Sequence, residues 1–126
     1  MNSLNENLVR RAVLGDGLRR SSLRYPNKDA LIYYYSDGKN VRYTYKRLNE
    51  KVNRVANGLL NRGVGKGDKI SVISHNSPEV VVLSYALLKI GALYTPLNFM
   101  LGASDIERLI NFSGAKLFFF VCLFYS

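Results

Sequence analysis

The sequence predicts an α/β fold, an open and mostly parallel sheet with helices on both of its faces. From Tyr45 onward, the spacing of apolar residues alternates between the helical and the strand period, in the order helix, strand, helix, strand, helix, strand. This alternation is typical of parallel strands joined by right-handed helical crossovers. The chain has 126 residues, 48% of them hydrophobic and 21% charged, which is the composition of a globular protein. The length suits one domain and leaves little room for a second.

Residues 1–43 are predicted to form a helix followed by a hairpin. Leu4 to Arg24 has helical spacing, which we expect to be interrupted near Gly15 and Gly17. Ala30 to Tyr35 and Val41 to Tyr43 are typical of strands, and the polar, glycine-containing segment between them predicts a hairpin turn.

Residues 44–121 are predicted to form the alternating units, beginning with a helix over Tyr45 to Asn61. Its apolar residues share one face, and Thr44 is a suitable N-cap. Arg47 stands at the third helical position, where its positive charge meets the positive end of the helix dipole. A glycine-rich turn ends this helix, and Lys69 to Ser74 then has the pattern of a strand.

The second unit begins with Ser77-Pro78-Glu79, which combines a capping residue, a proline suited to the first turn and a favourable negative charge. The helix that follows, Val80 to Ile90, is apolar almost all round, so we expect other elements to cover both of its faces. Gly91 ends it, and Ala92 to Pro96 is predicted to be a short strand.

The third unit begins at Ser104-Asp105-Ile106-Glu107, which has the S-x-x-E pattern of a capping box. Ala115 to Val121 is a nearly continuous apolar run, which predicts a strand buried on both faces. Residues 122–126 remain apolar where a polar loop is expected, and form an atypical tail. The apolar run from Leu117 to Tyr125 has nine residues, about half of the roughly 18 that a membrane-spanning helix needs.

The charge is distributed unevenly. The chain carries 18 basic and nine acidic residues, a net charge of +9, and residues 1–69 hold 15 of the basic and six of the acidic ones. A basic half can indicate a nucleic-acid partner. The charges are scattered, however, with no long run and no nucleic-acid-binding signature, so solvated helix faces are the favoured interpretation. The single cysteine, Cys122, excludes an intramolecular disulfide and favours a reducing, cytoplasmic setting.

Residues that could carry chemistry are few. One histidine and one cysteine cannot supply the four ligands of a structural zinc site. His75 follows a strand at the edge of the sheet where ligands usually bind, but no partner for proton transfer can be named, and a loop or capping role is favoured. Cys122 lies in an apolar stretch that favours an inert, buried thiol. No nucleophile motif surrounds the serines Ser71, Ser74 and Ser113.

Two further features invite a binding interpretation. The turn Gly63-Val64-Gly65-Lys66-Gly67-Asp68 could approach a phosphate, but it does not match the P-loop pattern and leads from a helix into a strand. A simple chain reversal is therefore the favoured interpretation. Five clustered tyrosines could stack on nucleic-acid bases. So many aromatic residues on paired strands more often pack against helices and the neighbouring strand. The five are Tyr33, Tyr34, Tyr35, Tyr43 and Tyr45.

Two segments of the sequence are similar to known motifs. Arg42 to Leu48 is similar to a T-Y-x-E-L motif, with Arg47 in place of the usual Glu. Leu88 to Asn98 is similar to an L-K-x-G-A-x-x-x-P-L-N/D motif. Both motifs are those of the adenylate-forming enzymes, the AMP-binding superfamily of acyl-CoA synthetases, luciferases and peptide-synthetase adenylation domains, which this sequence therefore resembles. The resemblance covers residues 8–120. Four other stretches also fit the family pattern; they are Tyr25 to Ala30, Asn57 to Leu59, Gly63 to Asp68 and Ser113 to Lys116.

The resemblance implies the opening segment of an enzyme from the acyl-CoA ligase branch, to which Asn98 and the Ser113 to Lys116 stretch are most similar. Such enzymes activate a fatty or other carboxylic acid with ATP and magnesium, and pass the acyl group from the adenylate to coenzyme A. Their phosphate loop, adenine and ribose motifs and catalytic lysine lie downstream of the matched region, and none occurs in this sequence. We therefore assign no catalytic, cofactor-binding or metal-binding residue, and we expect residues 1–126 to be a partial domain. A premature stop, a frameshift or a split gene is our hypothesis for its ending.

Three functions remain open from the sequence. The first is an acyl-CoA synthetase segment that is inactive alone and binds no cofactor by itself. The second is an assembly module that pairs with a separately encoded remainder of the enzyme or with itself, because the apolar helix and the Phe-rich strand need covering. The third, and the least supported, is a basic nucleic-acid-binding domain.

Overall fold

The computed structural model describes residues 14–121, which form four helices and five strands. In chain order they are α1 (Leu14–Arg24), β1 (Asp29–Tyr34), β2 (Asn40–Thr44), α2 (Tyr45–Asn61), β3 (Lys69–Ser74), α3 (Pro78–Ile90), β4 (Leu93–Leu97), α4 (Ala103–Ser113) and β5 (Leu117–Val121). The tail 122–126, Cys122 and the predicted helical residues 4–13 lie outside the described residues.

The sheet confirms the α/β prediction. β3 is its central strand and pairs in parallel with β4 on one side and β5 on the other, so that Ile70 lies between Tyr94 and Leu117. β1 and β2 form a separate antiparallel hairpin, as the turn residues between them predict. Helices cover both faces of the sheet, with α2 and α3 on one, where α1 packs against both of them, and α4 on the other.

The core lies between the sheet and the three helices α1, α2 and α3. Alternate residues of β3, Ile70 and Val72, point into it and are at most 2% exposed. The predicted apolar face of α2 is confirmed, since its buried residues are Leu48, Val52, Ala56 and Leu59. Helix α3 packs against α1, α2 and β4, which supplies the cover that its apolar circumference requires.

Two helix starts are as predicted from their capping residues. The Thr44 hydroxyl accepts a hydrogen bond from the Arg47 amide at 3.3 Å and begins α2. The Ser77 hydroxyl accepts one from the Val80 amide at 3.3 Å and begins α3. Each cap satisfies an amide that the first helical turn otherwise leaves without a partner.

The predicted capping box at Ser104 is wrong. Helix α4 begins earlier, with Gly102 as its N-cap and no side-chain cap, and Ser104 lies inside the first turn. The amides of Asp105 and Ile106 donate to the Gly102 carbonyl, each at 3.1 Å. The S-x-x-E pattern fixes only the type of the element, because backbone hydrogen bonds to Gly102 decide where the helix starts.

The prediction that β5 is buried on both faces is also wrong. Leu117 and Phe119 face the core, but Phe118 and Phe120 point to the other side and are 42% and 64% exposed. Strand β5 is an edge strand of the described sheet, and α4, which covers that side, has no buried residue among those described. The apolar run therefore reflects one half-buried and one largely open face.

Over the described residues α1 is continuous from Leu14 to Arg24, so the predicted interruption does not occur at Gly17, and the residues before Leu14 lie outside the part of the chain that the structure describes. Gly15 lies directly against α3: a Cβ atom there would be 2.7 Å from the Lys89 Cα and 2.9 Å from the Leu88 carbonyl oxygen. A Cβ at Gly17 would meet nothing within 4 Å. Gly15 thus lets two helix backbones come together.

Candidate functional site

The carboxyl ends of β3 and β4 form the edge of the sheet where open α/β folds usually bind ligands. His75 follows β3, and Phe99 follows β4 by two residues. Their ring centroids lie 3.9 Å apart, with the planes inclined at 42°. The structure therefore brings His75 to the predicted edge but stacks it on an aromatic ring, which cannot orient an imidazole for proton transfer as a carboxylate does.

Hydroxyl groups hold the backbone at this edge. The Tyr33 phenol of the hairpin donates to the Asn76 carbonyl oxygen at 2.9 Å, and the Ser74 hydroxyl donates to the His75 carbonyl oxygen at 2.7 Å. The Tyr33 ring also packs edge-to-face on Tyr35, with centroids 5.0 Å apart. Tyr33 thus joins the hairpin to the end of β3, which agrees with the favoured packing role of the tyrosines.

The two other serines that were considered as nucleophiles, Ser71 and Ser113, make backbone and packing contacts. Ser71 is fully buried in β3, and its hydroxyl oxygen lies 3.4 Å from that of Ser113 in α4. The Ser113 hydroxyl donates to the Ile110 carbonyl oxygen at 2.8 Å, within its own helix. This pair connects the sheet to α4, and a hydroxyl engaged in this way lacks the adjacent base that would activate a nucleophile.

The glycine-rich turn is closed by its own side chains. The Gly65 amide donates to the Asp68 carboxylate at 2.7 Å. From the start of β5, the Lys116 ammonium donates to the Gly63 carbonyl oxygen at 2.6 Å and to the Asp68 carboxylate at 2.9 Å. The Asp68 carboxylate already accepts the hydrogen bond of the Gly65 amide, and its negative charge would repel a phosphate group. The turn therefore does not fit a phosphate group of ATP. The sequence interpretation of a chain reversal is consistent with these contacts.

The same contacts perturb Asp68. The hydrogen bond from Lys116 and that from the Gly65 amide lower the pKa of the Asp68 carboxyl below its ordinary value of 3.8, against a smaller opposing effect of burial. A carboxyl with a lowered folded-state pKa stabilises the fold above its unfolded-state pKa, and this contribution is lost as the pH falls through the folded-state pKa. The contacts of Asp68 between the turn and Lys116 are therefore expected to weaken in acid.

Replacing Asp68 by asparagine is expected to flatten the acid limb of the stability profile. In the wild-type chain the free energy of unfolding should fall as the pH drops below 3.8, and the variant should lose less over that window because it carries no titrating carboxyl there. Urea unfolding at a series of pH values measures this. Lys116→Met, which removes the main cause of the shift but keeps the carboxyl, should also reduce the acid sensitivity. An unchanged acid limb in both variants would refute this assignment.

Lys89 has a role that the sequence analysis missed. Its ammonium group donates to the Asn49 and Asn53 side-chain oxygens of α2, each at 2.6 Å, and so connects α3 to α2. Desolvation lowers the pKa of Lys89, the charge of Arg19 lowers it further, and the charge of Asp16 raises it. The spacing of Asn49 and Asn53, one helical turn apart on α2, was the available signal. These contacts place Lys89 in the interface of three helices, not in an open site.

No constellation of groups suited to metal binding occurs in the described part of the chain. Residues 14–121 contain no group of three or more His, Cys, Asp or Glu side chains that could hold a metal ion. The same residues contain no helix that is both long and apolar enough to span a membrane.

Comparison with known proteins gives a consistent result. The family model of the AMP-binding enzymes matches residues 18–123. The chain is 38% identical over 93 residues to the crotonobetaine/carnitine–CoA ligase of Citrobacter koseri, which is 74% of this chain and 18% of that protein. It is 37% identical over 101 residues to the ligase of the same name from Escherichia fergusonii, covering 80% of this chain and 20% of that one.

Solved structures agree with these sequence matches. The fold is similar to a Mycobacterium tuberculosis fatty acyl CoA synthetase, with a TM-score of 0.77 and 31% identity over 86% of this chain and 21% of that one. It is also similar to the N-terminal subdomain of Klebsiella oxytoca NpsA, with a TM-score of 0.74 and 26% identity over 86% of this chain and 31% of the other. The chain spans about a fifth of the length of the curated relatives that it matches.

Proposed function

This chain belongs to the AMP-binding enzyme family, and from that premise we propose that it is the structural framework of an acyl-CoA synthetase and does not activate acids by itself. Its similarity to CoA ligases and to a fatty acyl CoA synthetase supports this branch of the family. The whole enzyme would use ATP, magnesium and coenzyme A on a fatty or other carboxylic acid. We place this activity in the metabolism of fatty acids in the cytoplasm, the compartment that the single cysteine favours.

The observation that carries this proposal is the closed glycine-rich turn. Acid activation requires that the phosphates of ATP be bound and that the charge developing on them be neutralised. In the turn between α2 and β3, the Gly65 amide donates to the Asp68 carboxylate, which Lys116 also contacts. The bound ATP and magnesium would supply the adenylating chemistry in the whole enzyme, and no described residue of this chain is assigned to hold them.

In this framework role, the chain's own residues position its helices and loops. Ser77 and Thr44 begin the two helices that cover one face of the sheet. Tyr33 fixes the loop after β3, and Lys116 fixes the turn before β3. Tyr33 thereby holds the carboxyl edge of the sheet, and Lys116 holds the opposite, amino edge. ATP–pyrophosphate exchange by the isolated 126-residue chain is the test of this proposal, and no exchange above background is the expected result.

A second candidate function is assembly with the remainder of an AMP-binding enzyme. An open cavity of about 400 Å³ lies between α4 and the exposed face of the sheet, with mostly apolar walls that include Ile73, Ile106, Ile110, Phe118 and Phe120. Exposed apolar surface of this kind marks an interface. The match covers 18% to 20% of the relatives, so about four fifths of each relative lies outside it. We choose that complementary part as the partner for this surface.

Phe120→Asp is expected to weaken this assembly about tenfold or more, because it places a charge in an apolar contact. The measurement is titration of the chain with a crotonobetaine/carnitine–CoA ligase from which the matching segment has been deleted. Phe112→Asp is the matched control, since Phe112 is 89% exposed on α4 and does not line the cavity. Equal weakening by both variants, or a monodisperse chain that binds neither the partner nor a hydrophobic dye, would contradict the assembly function.

A further inference from the structure

A second cavity, of about 290 Å³, lies on the other side of the molecule, where β2, α2 and the first turns of α3 meet. Its apolar part consists of Val55 on α2 and of Pro78, Val82 and Leu83 on α3. Pro78, Val82 and Leu83 are buried, and Val55 is half-buried, so the apolar part is fixed by the core behind it. The volume is at the lower end of the range of small-molecule sites, roughly 300–1,000 Å³.

Positively charged groups form one side of this cavity. Lys51 and Arg54 are three residues apart on α2 and therefore project from the same face of the helix. The Lys51 ammonium lies 5.0 Å from the centroid of the Tyr43 ring, which also lines the cavity. Within residues 14–121, neither Lys51 nor Arg54 has a carboxylate within 4.0 Å, whereas five other basic residues do.

One acidic residue, Glu79, lies on the opposite side, in the first turn of α3. Two cations and one carboxylate give the lining a net charge of +1, which favours a ligand with a single negative charge over one with two. Arg54 can bind a carboxylate with two parallel hydrogen bonds, and the aromatic face of Tyr43 suits a planar ring. The apolar part requires a ligand with an apolar body.

We propose that this cavity binds a small aromatic monocarboxylate, with its carboxylate on Arg54 and Lys51 and its ring between Tyr43 and the apolar residues of α3. The cavity supports this binding through its shape, its Tyr43 face and two cations that have no carboxylate partner within residues 14–121, whether or not the chain acts as the framework of an acyl-CoA synthetase. The proposal is one of binding only and includes no reaction at this site.

The test is titration of the ¹⁵N-labelled 126-residue chain with sodium benzoate, followed by amide chemical shifts. The expected result is a saturable shift of amides around the cavity, including those of Lys51 and Val82. Benzamide, which keeps the ring but lacks the charge, and acetate, which keeps the charge but lacks the ring, should each bind about tenfold more weakly or worse. Phenyl phosphate should also bind more weakly, because Glu79 opposes its second charge.

Two variants distinguish a specific site from general attraction to a basic protein. Arg54→Gln should weaken benzoate binding about tenfold, the cost of a charge-assisted hydrogen-bonding partner. Arg62→Gln removes the same charge from an exposed position at the end of α2 and should leave binding unchanged. Val55→Phe should block the cavity without a change of charge. The proposal is overturned if benzoate shifts no amide around the cavity, if the two arginine variants bind alike, or if phenyl phosphate binds more tightly than benzoate.

Discussion

Leu87→Ala is expected to lower the free energy of unfolding by about 2–5 kcal/mol, the range for removing a leucine side chain from a close-packed core. Leu87 has no exposed surface and belongs to the cluster in which α1, α2 and α3 meet the sheet. Small domains are stable by only about 5–15 kcal/mol, so this single change should remove a large part of the total. Urea unfolding followed by far-ultraviolet circular dichroism measures the loss.

Leu60→Ala is the matched control for this core substitution. Leu60 belongs to α2, but it is 50% exposed, and surface changes of this kind usually alter stability by no more than about 0.5 kcal/mol. A loss at Leu60 as large as that at Leu87 would show that the cost is not one of core packing.

Gly15→Ala is expected to destabilise the fold by about 1–3 kcal/mol, the usual cost of forcing an extra carbon into a close contact. The new Cβ would lie 2.7 Å from the Lys89 Cα and 2.8 Å from the Lys89 amide nitrogen. Both are backbone atoms of α3, so they cannot rotate away as a flexible side chain does. Helix α1 must move off α3, which also disturbs the hydrogen bonds of Lys89 to α2.

Gly17→Ala, in the same helix, is expected to change stability in the opposite direction. A Cβ at Gly17 meets nothing within 4 Å, and replacing glycine by alanine in a helix interior is favourable by roughly 0.5–1 kcal/mol. Thermal or urea unfolding of the two variants should therefore give changes of opposite sign. Two changes of the same sign would contradict the close approach of α1 and α3 at Gly15.

Local patterns were sufficient to predict much of the fold. The helix over Tyr45 to Asn61 and the strand over Lys69 to Ser74 have the predicted bounds, because each has an unambiguous period and a clear terminal signal. Thr44 and Ser77 were predictable as caps for the same reason, since a cap acts on an amide only three residues away.

The errors arose where distant residues decide the local structure. Gly17 was predicted to interrupt a helix that continues through it, and the close contact of Gly15 with α3 depends on Lys89, which is far away in the sequence. The two faces of β5 could not be told apart, because an apolar run does not reveal that α4 covers one face only loosely. The start of α4 at Gly102 depends on backbone hydrogen bonds, which the S-x-x-E pattern does not determine.

The candidate site was predictable only in part. The position of His75 at the carboxyl edge follows from the strand that precedes it, but its stacking on Phe99 depends on the next strand and its loop. The glycine-rich turn was interpreted as a chain reversal from its own residues. The reason it does not fit a phosphate, its closure by Lys116 from the start of β5, involves a partner 48 residues away from Asp68.

The framework role explains these features together. The chain contains well-formed caps, a packed interface of three helices and a sheet edge held by Tyr33, all of which position backbone. Among residues 14–121, three groups that could have served chemistry are engaged in structural contacts: His75 with an aromatic ring, Ser113 with a backbone carbonyl, and Asp68 with Lys116. We therefore propose that this segment supports acid activation in the whole enzyme without performing it.

The most direct test of that claim is the exchange of labelled pyrophosphate into ATP by the purified 126-residue chain, in the presence of magnesium and either a short-chain or a long-chain fatty acid. A full-length crotonobetaine/carnitine–CoA ligase with its own acid serves as the positive control, and circular dichroism confirms that the chain is folded under the assay conditions. The account predicts no exchange above the enzyme-free background with any acid. Robust, acid-dependent exchange by the folded chain would contradict it.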